Sequence, residues 1–446
     1  MPPAPRPPQA QWPRRLARGA IAALATMALL ELATWVFFAP LAGVAFDRRQ
    51  LEVDRRAHIA LADARLAGAG ETGGGALMQF HPYLGYTRRP GSRLSAAEPS
   101  TANAFGMWSL AGHPYPYARR PGELVIGVVG GSAAEIFANS YESDLQAALA
   151  ELDPRYKTLR AVMLPLAIGG YKQPQQLLAL EYALLSGFEF DLVLNIDGFN
   201  DLVLAAENRK YGIHPLFPSG FHLAPLAEGL RASPDPRSIR LVAEVLTAFE
   251  RERRVLALIQ SPPWNYSVFL NAFGARFSRY SQRRIDRLQA ELARIAQEGL
   301  DPAFRGPPLA VDADPVTVAV DTWRQGSEML NAICRDRGIP YVHVLQPNQY
   351  VEGTKPLSDH EREVAYDADN PWGHIARRHY GRLIDTGAAL KAHGVPFYDL
   401  TGLFKDVPDD IYIDNCCHFG PAGNRMLARE VARAIVEQLD RPRKRP

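Results

Sequence analysis

A serine, a histidine and an aspartate stand at points of the sequence where they could act together. Ser132 follows two glycines at the end of an apolar run, and His418 lies in a late loop four residues after Asp414. A histidine beside a serine hydroxyl takes its proton during nucleophilic attack, and a carboxylate holds the imidazole in the required tautomer. These residue types therefore predict a serine nucleophile with a histidine base.

Two further segments carry groups that would stabilise negative charge on a substrate oxygen. Gly169 and Gly170 follow a second apolar run and can bring a backbone N–H close to a bound carbonyl. Asn200 follows a third run and offers a side-chain N–H, although alone it also fits a turn or helix-cap role. Backbone N–H groups at Ser132 and at Gly169-Gly170, together with the Asn200 amide, are therefore predicted to form an oxyanion hole.

The glycine-rich turn before Ser132 also has two simpler interpretations. A turn of this kind can cradle a phosphate, but Gly127, Gly130 and Gly131 do not match G-x-G-x-x-G, and no G-x-x-x-x-G-K-S/T occurs. No nucleotide or other cofactor is therefore expected. The second interpretation, in which Ser132 is only a helix N-cap, stays open from this segment alone.

The elements that must position these residues alternate between strand and helix. Short apolar runs predict strands at 124–129, 159–164, 192–196, 339–345 and 395–398, and helices are predicted at 133–150, 174–186 and 422–439. The alternation predicts an α/β fold with a five-stranded parallel sheet covered on both faces. In such sheets ligands bind at the carboxyl edge, where Ser132 and the other segments would meet.

A helical insertion at about 202–315 interrupts this alternation. Helical stretches are predicted at 237–253 and 281–298, and residues 255–259 are compatible with one extra strand. An insertion directly after a site-forming loop is well placed to act as a lid or substrate-shaping cap. A packing elaboration without a role in specificity is equally compatible with the sequence.

The N-terminal hundred residues differ in composition from the rest. Residues 1–18 form a basic, proline-rich tail, residues 19–46 are almost continuously apolar, and residues 47–100 are predicted to form a stalk and linker before a domain at 101–446. The apolar run is long enough to span a bilayer once, despite the cost of Glu31 in lipid. A single-pass anchor with the domain outside the cytoplasm is the prediction, and a buried core helix or a cleaved leader is the alternative.

The net charge and the cysteines limit which ligands are expected. The formal net charge of +2 over 446 residues gives no reason to expect nucleic-acid binding. Cys334, Cys416 and Cys417 show no zinc-ligand spacing, so no metal is expected. A disulfide from Cys334 to one of the other two and three reduced thiols are both compatible with the sequence, whereas adjacent cysteines fit disulfide geometry poorly.

From about Asn103 to its end, apart from the insertion, the chain resembles SGNH (GDSL-type) hydrolases. The residues that carry the resemblance, in family order, are Gly130-Gly131-Ser132, Gly170-Tyr171 with Gln175, Gly198-x-Asn200-Asp201 and His418-x-x-x-x-Gly423-Asn424. Upstream, Leu84-Gly85-Tyr86 and Asn103-x-x-Gly106 resemble the lead-in of membrane-tethered bacterial members. The resemblance implies a flavodoxin-like three-layer α/β/α fold. It also implies that Ser132 is the nucleophile, His418 the base, and Gly170 and Asn200 oxyanion donors.

Two positions depart from the family pattern. Gly131 stands where the family's Asp usually lies, next to the reacting serine. The family's acid usually lies three residues before the histidine, where this chain has Asn415, and Asp414 lies four before. Either a one-residue difference in the loop presents Asp414 to His418, or Ser132 and His418 act as a dyad supported by a backbone carbonyl.

The sequence thus predicts a membrane-anchored serine esterase or acyltransferase. The resemblance and the anchor together suggest an O-acyl group of an envelope glycan or lipid as the substrate. The alternative is a non-catalytic envelope protein that keeps the fold to bind glycan or a protein partner.

Overall fold

The computed structural model describes residues 12–38, 47–67, 77–93, 100–109, 115–228, 235–299, 304–310 and 312–440. The chain divides into two compact units. One comprises residues up to Thr72 together with Asp235–Leu292, and the other comprises Gly73–Pro234 with Ala293–Pro446. We call the first the helical unit and the second the sheet unit.

The sheet unit contains two short antiparallel pairs followed by a five-stranded sheet. The pairs are β1 (Met78–His81) with β2 (Gly85–Arg88), and β3 (Thr101–Ala102) with β4 (Trp108–Ser109). The sheet strands are β5 (Glu123–Gly130), β6 (Arg160–Pro165), β7 (Leu192–Asp197), β8 (Tyr341–Leu345) and β9 (Phe397–Asp399). All neighbours are parallel in the order β6-β5-β7-β8-β9. The predicted α/β fold with a five-stranded parallel sheet is therefore confirmed.

The helices listed next belong to both units. In chain order they are α1 (Trp12–Val36), α2 (Arg48–Ala67), α3 (Ser132–Ser140), α4 (Glu142–Leu152), α5 (Gln175–Leu185), α6 (Phe199–Lys210), α7 (Gly220–Glu228), α8 (Pro236–Gln260), α9 (Val268–Glu298), α10 (Pro315–Asp336), α11 (Asp359–Val364), α12 (Pro371–Ala392) and α13 (Pro421–Asp440). Single 3₁₀ turns lie at Pro154–Lys157 and Trp264–Tyr266.

Each face of the sheet packs against its own hydrophobic core because the strands are apolar on both faces. In β5, Val125 and Val129 join the core with α5, α6, α10 and α12. Leu124, Ile126 and Val128 point to the opposite core, with α3, α4 and α13. Successive side chains of a strand alternate between faces, so an uninterrupted apolar run is the pattern of a strand covered on both sides.

Two local predictions were wrong. The helix expected at 133–150 is two helices, α3 and α4, which meet at Tyr141 in a non-helical conformation. Residues 255–259, read as an extra strand, form the last turns of α8. A short apolar run does not by itself distinguish strand from helix, and here the preceding nineteen residues already form one continuous helix.

The helical unit contains α1, α2, α8 and most of α9. Ala62, Val245, Phe249 and Ile285 form a small core from α2, α8 and α9. Among the residues that the structure describes, none of the helices combines the length and the apolar character needed to cross a membrane. The predicted anchor extends through 39–46, and the predicted linker through 68–76, which lie outside the described residues.

Candidate active site

Ser132 begins α3 at the carboxyl end of β5, where the strand order reverses direction. β5 lies between β6 and β7. The next strand in the chain, β6, is therefore added on one side of β5, and the following strand, β7, on the other side. In open α/β sheets this switch point is where ligands bind. As the first residue of α3, Ser132 contributes one of the N–H groups that a helix leaves without an intrahelical acceptor. The position therefore favours negative charge beside the hydroxyl.

His418 lies within hydrogen-bonding distance of Ser132. Its Nε2 is 2.6 Å from Ser132 Oγ, and its Nδ1 is 2.5 Å from Asp414 Oδ2. With Nδ1–H donating to the carboxylate, Nε2 is free to accept the serine proton. The structure thus brings the serine, histidine and aspartate together in one hydrogen-bonded chain, although 286 residues separate Ser132 from His418.

A tight turn explains why the acid lies four residues before the histidine. Asp414 Oδ1 accepts the backbone N–H groups of Cys416 at 2.9 Å and Cys417 at 3.1 Å, which leaves Oδ2 for His418. The side chain of Asn415 is exposed, and its carbonyl accepts hydrogen bonds from elsewhere. Of the two alternatives, the geometry corresponds to the loop that presents Asp414.

Polar side chains from the segment after β8 and from the N-cap of α12 hold this loop in place. Four side chains donate to the loop's carbonyl groups: Asn348 to Cys416 (3.1 Å), Gln349 to Asp414 (2.9 Å), and Tyr350 (3.0 Å) and Asn370 (2.7 Å) to Asn415. Sequence reasoning missed these residues. The available signal was a polar run directly after an apolar strand, the same pattern that marked Asn200.

Glu361 anchors the start of the same loop from α11. Its Oε1 accepts the N–H groups of Ile411 and Tyr412, both at 2.9 Å, and its Oε2 accepts Lys355 Nζ at 2.6 Å. Both side chains of the Lys355–Glu361 ion pair are fully buried. The pair links the histidine loop to the sheet unit through contacts that water does not screen.

The predicted oxyanion donors also lie at the carboxyl edge. Gly170 follows β6 with a φ of +83°, and a Cβ there would fall 2.3 Å from the His222 ring. In the described part of the chain its N–H has no acceptor within hydrogen-bonding distance. The neighbouring Gly169 N–H donates instead to Glu135 Oε2 at 2.8 Å, so Gly170 is the one of the two glycines whose N–H is available to a ligand.

Asn200 lies against the glycine turn that precedes Ser132. Its Nδ2 donates to the Tyr171 carbonyl at 3.1 Å, which orients the amide and leaves its second hydrogen for a ligand. A Cβ on Gly131 would lie only 2.2 Å from that nitrogen. Glycine at this position therefore makes room for the Asn200 side chain.

Asp201 joins the two oxyanion segments. Its carboxylate accepts Gln173 N at 2.6 Å, Gln176 Nε2 at 3.2 Å and Gly198 N at 3.3 Å. Burial, and then the charge of Asp197, raise the pKa of Asp201 to about 7. The group is thus an internal brace and is fully enclosed.

A second buried ion pair, Arg88–Glu135, fixes the first turn of the helix that begins at Ser132. Arg88 of β2 bonds Glu135 of α3 through two guanidinium nitrogens at 2.6–2.9 Å, and Trp108 Nε1 donates to the same carboxylate at 2.6 Å. The short pairs β1–β2 and β3–β4 thereby contact the first turn of the helix that begins at Ser132.

The histidine is electrostatically adapted to hold a proton. Burial alone would lower the pKa of His418, but the Cys417 sulfur and the Asp414 carboxylate outweigh it and raise that pKa. Burial likewise opposes the charged form of Asp414, yet its hydrogen bond to His418 keeps the pKa of Asp414 lowered. The pair therefore favours an imidazolium facing a carboxylate, the state that forms when serine is deprotonated.

The three cysteines are free thiols. Cys334 is buried in α10, whereas Cys416 Sγ and Cys417 Sγ lie 2.9 Å apart beside the histidine. Within the described ranges, the ligand atoms that lie close enough to share a metal ion are those of Cys416, Cys417 and His418, all within 4.8 Å. His418 is, however, already engaged on both nitrogens.

Searches against known protein families and against curated proteins found no match for this chain.

Proposed function

We propose that the chain is an SGNH-type serine hydrolase, an esterase or O-acyltransferase that forms an acyl-enzyme on Ser132. The observation that carries the proposal is the continuous hydrogen-bonded chain from Ser132 Oγ through His418 to Asp414. The strand order, 2-1-3-4-5 when the five sheet strands are numbered along the chain, supports the flavodoxin-like fold that the resemblance implies. Fold alone does not define an activity, so the site carries the argument.

The first half-reaction forms the acyl-enzyme. Ser132 Oγ bonds to the carbonyl carbon of an ester while its proton passes to His418 Nε2, and the carbonyl π electrons move to oxygen. The N–H groups of Ser132 and Gly170 and the amide of Asn200 stabilise that oxyanion, each donor contributing about 3–4 kcal/mol. When the intermediate collapses, the carbon–oxygen bond to the alcohol breaks and His418 protonates the departing oxygen.

The second half-reaction returns the serine. His418 removes a proton from a second nucleophile, which attacks the acyl carbon and displaces Ser132 Oγ, and His418 returns the proton to serine. Water as the nucleophile completes hydrolysis, and a sugar or lipid hydroxyl completes transfer. Asp414 stays ionised throughout and stabilises the imidazolium.

The remaining parts of the proposal concern location and substrate. The basic tail and the apolar run at 19–46 support a single-pass anchor, and most of that run lies in α1. An anchored enzyme outside the cytoplasm, periplasmic or extracellular, would meet acylated envelope glycans or lipids. We therefore propose an O-acyl group of such a molecule, acetyl being the simplest, as the substrate.

A fluorophosphonate probe, which reacts covalently with activated serines, tests the activity class. We expect stoichiometric labelling of the full chain and none of Ser132→Ala, whose thermal stability should be nearly unchanged. A panel of acyl esters, assayed with and without a sugar acceptor, then separates hydrolysis from transfer. A folded wild-type chain that resists the probe would favour the non-catalytic binding protein instead.

A further inference from the structure

Large exposed apolar side chains concentrate in one part of the helical unit. On α1 and the residue after it, seven are exposed over about three turns: Met27, Leu29, Leu30, Leu32, Trp35, Val36 and Phe37. Another group lies at the turn between α8 and α9, residues 261–267, and at the start of α9: Trp264, Tyr266, Phe269 and Phe273. We call the segment 264–273 the hairpin tip. Such a patch on a protein surface indicates an interaction site.

The hairpin tip lies at the N-terminal end of α2. The Arg48 guanidinium stacks 4.3 Å from the centre of the Tyr266 ring. About two to three turns further along α2, Arg55 donates to Gln260 at 3.1 Å, and His58 Nδ1 lies 3.1 Å from Ser278 Oγ. The contacts advance along α2 as they recede from the turn, so α2 runs along the hairpin from its tip.

Glu31 of α1 joins the same end of the unit. Its carboxylate accepts the Ser267 hydroxyl and the N–H groups of Val268 at 2.7 Å and Phe269 at 3.2 Å. Glu31 therefore caps the N-terminus of α9, where a negative charge is stabilised by the helix dipole. This contact removes much of the cost that an acid in an apolar helix would otherwise carry, and it places the tip beside the last turns of α1.

The exposed surface of α1 is too wide for a single protein partner. At about 100° per residue, six of these seven exposed side chains cover an arc of about 220°, and Met27 lies in the remaining sector with Glu31, Thr34 and Phe38. A second helix covers one stripe, whereas a helix that is apolar nearly all round fits an apolar solvent. Lipid is that solvent.

The aromatic side chains of the hairpin tip and of the end of α1 match the edge of a bilayer. Trp35, Trp264 and Tyr266 are 63, 45 and 63 % exposed, and Trp and Tyr are the residues enriched where membrane meets water. Exposed Arg48 stacks on Tyr266, exposed Arg49 follows it in the chain, and both side chains suit lipid phosphates. We propose that the hairpin tip rests in the lipid interface beside the end of α1, so that the insertion supplies a second membrane contact.

This inference rests on the proposed anchor and not on the esterase chemistry, and lipid photo-crosslinking tests it. The full chain, with benzoylphenylalanine in place of Phe269, is reconstituted into phosphatidylcholine–phosphatidylglycerol vesicles and irradiated, and lipid adducts are measured by mass spectrometry. Ile239 is the matched control, because it is 55 % exposed on α8 but close to the helix start, far along the hairpin from the tip. The same crosslinking residue in place of Leu29 on α1 measures lipid contact of the proposed anchor.

We expect at least about tenfold more lipid adduct at position 269 than at 239, as an interfacial aromatic position requires. Equal adduct at 269 and 239, with strong adduct at 29, would overturn the second contact and leave the anchor standing. Crosslinks from 269 to another protein chain in place of lipid would also overturn it. Adduct at 269 without adduct at 29 would support the tip contact while rejecting the proposed anchor.

Discussion

The side-chain nitrogen of Asn200 occupies the space that a Cβ on Gly131 would need. The two positions are only 2.2 Å apart, well inside van der Waals contact. The glycine before the nucleophile and the asparagine of a different loop are therefore one structural feature. Their relationship suggests that the nucleophile turn and the oxyanion donor must be changed together.

Gly131→Ala should lower kcat by about tenfold to a hundredfold, because the added methyl group displaces the Asn200 amide from the oxyanion site. The matched control is Gly169→Ala, whose Cβ would meet its nearest neighbour at an ordinary 3.5 Å. Steady-state kinetics on an activated ester would measure both. Similar kcat values for the two variants would contradict the oxyanion role of Asn200.

Asp414→Ala should lower kcat roughly a thousandfold or more, since only a carboxylate stabilises the imidazolium and fixes the histidine tautomer. Asn415→Ala is the control, because the Asn415 side chain is exposed and its removal leaves the loop and the backbone carbonyl in place. The reverse ranking would show that a serine–histidine dyad performs the reaction.

Cys417→Ala should shift the acid limb of the pH–kcat/KM profile to lower pH. His418 must be neutral to act as a base, so its raised pKa keeps it protonated and inactive until the pH rises through that value. Removing the neighbouring sulfur, the largest influence that raises the pKa, lowers it and extends activity downward in pH. Cys334→Ala, buried in α10, should leave the limb where it is.

Glu361→Gln should destabilise the fold by about 3–5 kcal/mol, because it leaves the Lys355 charge buried without its partner. Chemical denaturation measures the free energy of unfolding, and the double variant Glu361→Gln with Lys355→Met should recover part of the lost stability.

The same ion pair makes stability depend on pH. Burial disfavours the charged form of Glu361, but Lys355 and the loop N–H groups lower the pKa of Glu361 below its unfolded value. Its contribution is therefore present above about pH 4.3 and lost as the pH falls through the folded pKa. If Glu361→Gln alone were as stable as the wild type, the argument from the buried ion pair would be contradicted.

Much of the sheet unit was predictable because its signals are local. The run Leu124–Val129 is apolar on both faces, and a buried parallel strand needs that pattern whatever surrounds it. Polar and glycine residues directly after such strands marked Ser132, Gly170 and Asn200, since parallel strands bring their carboxyl ends to one edge. The same reasoning gave the wrong result for residues 255–259, because a five-residue apolar run fits the end of a long helix as well as it fits a strand.

What the sequence by itself determined was therefore which residue types stand at the carboxyl edge of the sheet. Only the tertiary structure decided which acid faces His418, because the choice depends on a turn in which Asp414 binds two backbone N–H groups and on the side chains that hold that loop. The same is true of Gly131, whose need for glycine comes from Asn200, sixty-nine positions away. Contacts between distant segments depend on three-dimensional packing, and no local pattern of residues records them.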